Sequence, residues 1–227
     1  MGVEPEADSF QDTPRAAVIV AHPDDETLWA GGTILLRPNW NWTIVSLCRK
    51  SDHDRGPKFF RAAELLGARA FAGDFNDEPD QPPARPEDVE AAILGLLPER
   101  AFDLVITHSP FGEYTRHLRH EDTSYAVTEL WRQGELQTPT LWMFAYEDAG
   151  RQHLPQPVDR AHRLVELSDP IWMAKYRIIS QIYGFAPDSF EARTTPRTEA
   201  FWCFRSYHDF ENWLNTKGVR NESTGAV

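Results

Sequence analysis

Ala16-Ala17-Val18-Ile19-Val20 runs straight into Ala21-His22-Pro23-Asp24-Asp25-Glu26. Five consecutive apolar residues, two of them valine and one isoleucine, predict a buried strand. Three acidic residues at its end repel one another and lose hydration. A helix N-terminus, a metal ion or both must offset that cost. His22 stands three positions before Asp25, so a nitrogen and an oxygen donor share one turn of chain. A strand that ends in His-x-x-Asp and turns into a helix is a natural place for a metal.

Outward from this point, apolar runs alternate with helical patterns. Helices are expected at Thr27–Leu36, Phe59–Leu66, Pro86–Leu97 and Glu121–Gln133. Strands are expected at Trp42–Cys48, Ala68–Ala72, Phe102–Thr107 and Thr140–Tyr146. Gly31-Gly32 allows close packing inside the first helix, and Gly67 is a C-terminal cap. This alternation predicts an α/β, Rossmann-like three-layer fold with a mostly parallel sheet. Asp159–Glu166 and Ile171–Tyr183 read as helices and Ala200–Phe204 as a strand. Gln81–Pro86 and His153–Pro157 read as proline-rich loops. The polar clusters His22–Glu26, Arg49–Asp54, Gly73–Glu78 and His108–His120 each follow a strand, so all fall at the carboxyl ends, where such sheets bind ligands.

The chain has 227 residues, 41% of them hydrophobic, and a net charge of −12. One domain is expected over 14–216, with disordered tails at 1–13 and 217–227. The acidic balance argues against nucleic acid or an anionic membrane as partner. No run reaches the length of a membrane span. Cys48 and Cys203 suggest no disulfide framework, and the acidic start is no signal peptide, so a cytoplasmic location is expected.

The second cluster, Gly112-Glu113-Tyr114-Thr115-Arg116-His117-Leu118-Arg119-His120, carries His-x-x-His at a helix start. Residues three apart there share a face. His22, Asp25 and one of these histidines make two nitrogens and a carboxylate, the donor set of a catalytic zinc site. Iron(II), cobalt or nickel would also fit. A bound zinc makes hydroxide available near neutral pH. Asp24, beside a ligand, is the candidate to take and return the proton. His117 is the candidate to stabilise an oxyanion. These parts suit hydrolysis of an amide or ester.

Ala21–Glu26 followed by Thr27-Leu28-Trp29-Ala30-Gly31-Gly32-Thr33 resembles the signature of the LmbE-like (PIG-L) zinc-dependent N-acetylglucosaminyl de-N-acetylases. Arg61-Ala62-Ala63-Glu64, Asp103–His108, Lys175 with Ser180-Gln181, and Glu199-Ala200-Phe201 are similar to later family motifs. The resemblance implies His22, Asp25 and His120 as zinc ligands, Asp24 as general base and acid, and His117 as the oxyanion's partner. It also implies Arg61, Asp77 (or Asp74) and Tyr114 as substrate-binding residues, and an N-acetylated amino sugar as substrate. The chain departs from the family at Arg119, where an aspartate is common. A positive charge there disfavours a protonated His117.

Simpler readings stand beside these. Asp24 fits a helix cap, and Arg61 and Glu64 an exposed i,i+3 pair. His108 reads as structural and His53 as solvated. Lys175 reads as solvated or fold-stabilising. Of eight tryptophans, only Trp29 merits a substrate role, at the pocket mouth. No G-x-G-x-x-G follows the first strand, so NAD binding is not expected. The competing functions are an esterase or amidase on a non-sugar substrate, and a non-catalytic module that binds a sugar or a partner.

Overall fold

The structure, a computed structural model, describes residues 13–78, 84–114 and 117–222, with side chains to residue 216. Its elements follow the expected alternation. They are β1 (Arg15–Val20), α1 (Asp25–Leu35), β2 (Asn41–Ser46), α2 (Arg55–Leu65), β3 (Ala68–Ala72), α3 (Pro86–Leu96), β4 (Leu104–Thr107), α4 (Leu118–Gln133) and β5 (Leu141–Phe144). The rest is β6 (Tyr146–Glu147), β7 (Gln156–Pro157), β8 (Arg163–Glu166), α5 (Asp169–Arg177), α6 (Phe190–Thr194), β9 (Thr198–Phe204) and α7 (Tyr207–Glu222). The expected tail 1–13 lies outside the described residues except for Thr13. The expected tail 217–227 overlaps the α7 backbone as far as Glu222, and the remainder lies outside them.

The main sheet has the order β3-β2-β1-β4-β5-β9-β8. The first five strands are parallel, and β9 and β8 add antiparallel at one edge. Ala16 to Val20 are all fully buried because β1 is central and covered on both faces. Each large aliphatic side chain there contributes about 1.5–3 kcal/mol of burial. α1 packs on α5 and α3 on α4, giving the outer layers of the expected three-layer fold. The strand order reverses between β1 and β4, and the loops after those two strands carry His22 and His108.

One local expectation gives way. Asp159–Glu166 is not a helix: Arg163–Glu166 pairs antiparallel with β9. Pairing to an open sheet edge overrides a weak local preference. Ile171–Ile182 is helical as expected, in two kinds of helix. After α5 the chain widens into a π-helical segment, Ile178–Ile182, closed by the Tyr183 amide on the Ile178 carbonyl at 3.0 Å.

The antiparallel edge is bolted to α1 from inside. Lys175 and Glu199 are fully buried and lie 2.6 Å apart. The Glu199 carboxylate also accepts the Gly32 and Thr33 amides at 2.7 and 2.6 Å. Gly32 makes this approach possible. A Cβ there would lie 2.5 Å from both terminal carbons of Leu167 and 3.0 Å from Glu199 Oε1. Gly32→Ala is therefore expected to destabilise the protein by roughly 1–3 kcal/mol despite alanine's better helix propensity. Urea unfolding of parent and variant measures this, and equal midpoints would refute the tight contact.

Candidate metal centre

The centre starts with the turn between β1 and α1. Asp24 is the N-cap residue with φ 106°, a conformation rarely held by a non-glycine residue. Its amide donates to Glu26 Oε2 at 2.9 Å, and Glu26 Oε1 accepts from the Tyr183 hydroxyl at 2.7 Å. Burial pushes the Glu26 carboxyl up to about 7. The Asp24 side chain does not cap the helix. It turns to Arg55, whose Nη1 donates to Oδ2 at 2.7 Å. Burial and the neighbouring Asp25 raise the Asp24 carboxyl well above its ordinary value, against the pull of Arg55. Strain of this kind persists where surrounding contacts over-determine it, and it concentrates at working sites.

Three donor atoms face one another beside this turn. His22 Nδ1 lies 3.2 Å from His120 Nε2 and 3.3 Å from Asp25 Oδ2, and His120 Nε2 lies 3.3 Å from Asp25 Oδ2. Donors at about 2.0–2.1 Å from a tetrahedral zinc stand about 3.3 Å from one another. The residues present therefore fit a metal, and three overlapping sets of close donor atoms, His22–His117–His120, Asp25–His108–His120 and His22–Cys48–Asp77, surround the same place among the described residues. Burial would push His120 down, but Asp25 and Glu113 raise it to about 10. The cluster draws positive charge.

Each of the three donor residues has a partner behind it. Asp77 Oδ1 lies 3.0 Å from His22 Nε2, while Arg49 donates to Asp77 Oδ2 at 2.7 Å. Asp25 Oδ1 accepts the Trp29 indole N–H at 3.1 Å. Glu113, fully buried, lies 2.6 Å from His120 Nδ1.

The structure thus brings together His22, Asp24, Asp25, Asp77, His117 and His120. Tyr114 joins them, its ring 5.7 Å from that of His120 and 6.3 Å from that of His117. Burial raises the Tyr114 phenol above its ordinary range, so it stays protonated. Arg61 is not brought in: it lies on the exposed face of α2 and pairs with Glu64 at 2.5 Å. Six residues beyond Arg55 along α2, Arg61 points about 120° away from it around the helix. Trp29 is not at a pocket mouth. It is fully buried under Asp25. Asp77 meets a histidine rather than open space. Burial, His120 and His22 push His117 down to about 3, so it is neutral. Arg119 is occupied elsewhere, donating to Asp122 and the Asn76 carbonyl at 2.5 and 2.8 Å.

Sequence reasoning missed Arg55, Glu113 and Tyr183. Arg55 sits in the charged run Ser51-Asp52-His53-Asp54-Arg55, which reads as solvated loop. Glu113 follows a turn glycine, and only its place before two histidines hinted at burial.

A family model described as PIG-L, GlcNAc-PI de-N-acetylase, matches residues 17–131. An uncharacterised protein, L374, of Acanthamoeba polyphaga mimivirus is 24% identical over 144 residues, 57% of this chain. The chain spans 61% of the length of that relative. Among solved structures, an N,N'-diacetylchitobiose deacetylase from Pyrococcus horikoshii superposes with a TM-score of 0.63 at 15% identity, over 86% of this chain and 85% of that one. GalB, a 4-carboxy-2-hydroxymuconate hydratase from Pseudomonas putida, superposes with a TM-score of 0.56 at 17% identity, over 95% and 91%. These two likenesses concern the fold.

Proposed function

Because this chain belongs to the PIG-L family, we propose that it is a zinc-dependent hydrolase that removes an N-acetyl group from an amino-sugar derivative. The observation that carries the reading is the triangle of donors from His22, Asp25 and His120, 3.2–3.3 Å on a side, beside the strained Asp24. His22, Asp25 and His120 would hold the metal. When bound, it supplies an acidified water and a Lewis acid for the acetyl carbonyl.

The chain's own residues do the remaining work. Asp24, its carboxyl raised by burial, takes a proton from the attacking water and returns it to the departing amine. Arg55 holds Asp24 by one oxygen and leaves the other for this transfer. His117 is neutral, so it serves as an N–H donor to the oxygen of the tetrahedral species, rather than as an imidazolium. The protonated Tyr114 phenol is a second donor. A cavity of about 260 Å³ lined by Tyr114, Tyr146 and Trp202 meets this site only through Tyr114, and a distal part of the substrate would fit there. No helix among the described residues is long and apolar enough to cross a membrane. Two free cysteines fit a reducing, cytoplasmic setting.

Elemental analysis of the parent and of Asp25→Ala, with acetate release from N-acetylglucosamine derivatives, tests the reading. About one zinc per chain, lost in the variant, and acetate from the parent are expected. A parent that takes up no metal overturns the centre. A loaded parent that releases no acetate from any N-acetylated amino sugar overturns the reaction.

A further inference from the structure

We propose that Glu113, together with His108, is the positioning pair that fixes the ring tautomer of His120 and ties it to the backbone just before His22. The proposal deepens the metal-centre reading and rests on it. It follows from donors and acceptors alone. The Ala21 amide can only donate, and it donates to His108 Nε2 at 3.0 Å. That nitrogen therefore carries a lone pair and no proton. Neutral His108 then bears its proton on Nδ1, which lies 3.1 Å from Glu113 Oε2. The same oxygen lies 2.6 Å from His120 Nδ1, and Oε1 accepts the Ser109 amide at 3.0 Å.

Glu113 thus receives three N–H groups, and a carboxylate with no proton of its own suits that arrangement. His108 and His120 hold it down to about 2 despite burial. With one His120 proton fixed on Nδ1, Nε2, which faces Asp25 Oδ2 and His22 Nδ1, is the nitrogen left to give its lone pair to a metal. The His108 and His120 rings stack at 3.9 Å, so neither can turn over without displacing the other. His108 is excluded as a ligand, since Ala21 already occupies the nitrogen that faces Asp25. One line of contacts, Ala21–His108–Glu113–His120, joins the end of β1 to the start of α4. It sets the separation of the two imidazole ligands. Second-layer carboxylates of this kind typically contribute 10–100-fold in metal affinity.

Glu113→Gln is the decisive variant. The carboxylate accepts both rings at Oε2 and the Ser109 amide at Oε1. An amide has a single acceptor oxygen, so its NH2 must oppose either the Ser109 N–H or both rings, and the negative charge that holds His120 Nδ1–H is lost in either orientation. Zinc affinity is measured by competition with a chromophoric chelator, alongside the melting temperature of the metal-free form. Imidazole ¹⁵N spectra are recorded on the zinc-loaded parent. Expected are a zinc Kd raised about 10–100-fold in Glu113→Gln, and, in the parent, Nδ1–H on both His108 and His120. Unchanged zinc affinity in a folded Glu113→Gln overturns the role of Glu113. So does a parent spectrum with His108 protonated at Nε2, which needs no variant to fold. A parent that binds no zinc overturns instead the metal centre on which the proposal stands.

Discussion

Asp24→Asn is expected to lose about 10²–10⁴-fold in turnover while keeping its full complement of zinc. Asparagine keeps the shape of the side chain and its contact with Arg55, but cannot take a proton. It also tolerates positive φ better than other non-glycine residues, so the turn that carries φ 106° survives the change. Alanine would confound loss of the base with loss of the turn. The measurement pairs kcat on an N-acetylated amino sugar with elemental analysis of the same sample. Full turnover in the variant would sink the assignment of Asp24. Loss of zinc along with turnover would mean that Asp24 belongs to the metal's own shell.

The second large effect lies far from the chemistry. Lys175→Met is expected to cost about 3–5 kcal/mol, the usual result of stranding one member of a buried ion pair. At about 2–4 °C per kcal/mol for a chain of this size, melting falls by roughly 6–20 °C. Methionine fills the lysine's space without its charge, leaving the fully buried Glu199 carboxylate with only the Gly32 and Thr33 amides. A second change, Glu199→Gln in the same background, removes the stranded charge and is expected to restore part of the loss. A drop under about 1 kcal/mol for Lys175→Met alone would show that the amides suffice for Glu199.

The parallel half of the sheet was legible because its strands are apolar runs of the right length between capped helices. Residues 16–20 read as buried in sequence and are buried in space. The histidines and acids of the centre were legible because their spacing places donors on one turn. What stayed hidden was carried by tertiary contact. Arg163–Glu166 has no strong strand pattern and becomes a strand only because β9 offers an edge. Lys175 and Glu199 stand 24 residues apart and look like two unrelated charges until the fold presses them together. Arg55 opens α2 out of a charged run and Glu113 sits in a polar turn; both stretches resemble solvated loop in composition, and nothing local distinguishes a charge facing water from one facing a carboxylate or an imidazole. Trp29 misled for the opposite reason: it adjoins the motif in sequence, but the helix turns it inward.

His22 and His120 are 98 residues apart in the chain. At ribosomal speeds of about 5–20 residues per second, that gap is on the order of 5–20 s of synthesis. During that time His22 and its acidic neighbours exist without the imidazole that completes the triangle. The donors meet only after β4 has docked beside β1. An ion that uses all three donors could bind only once that strand pairing is in place.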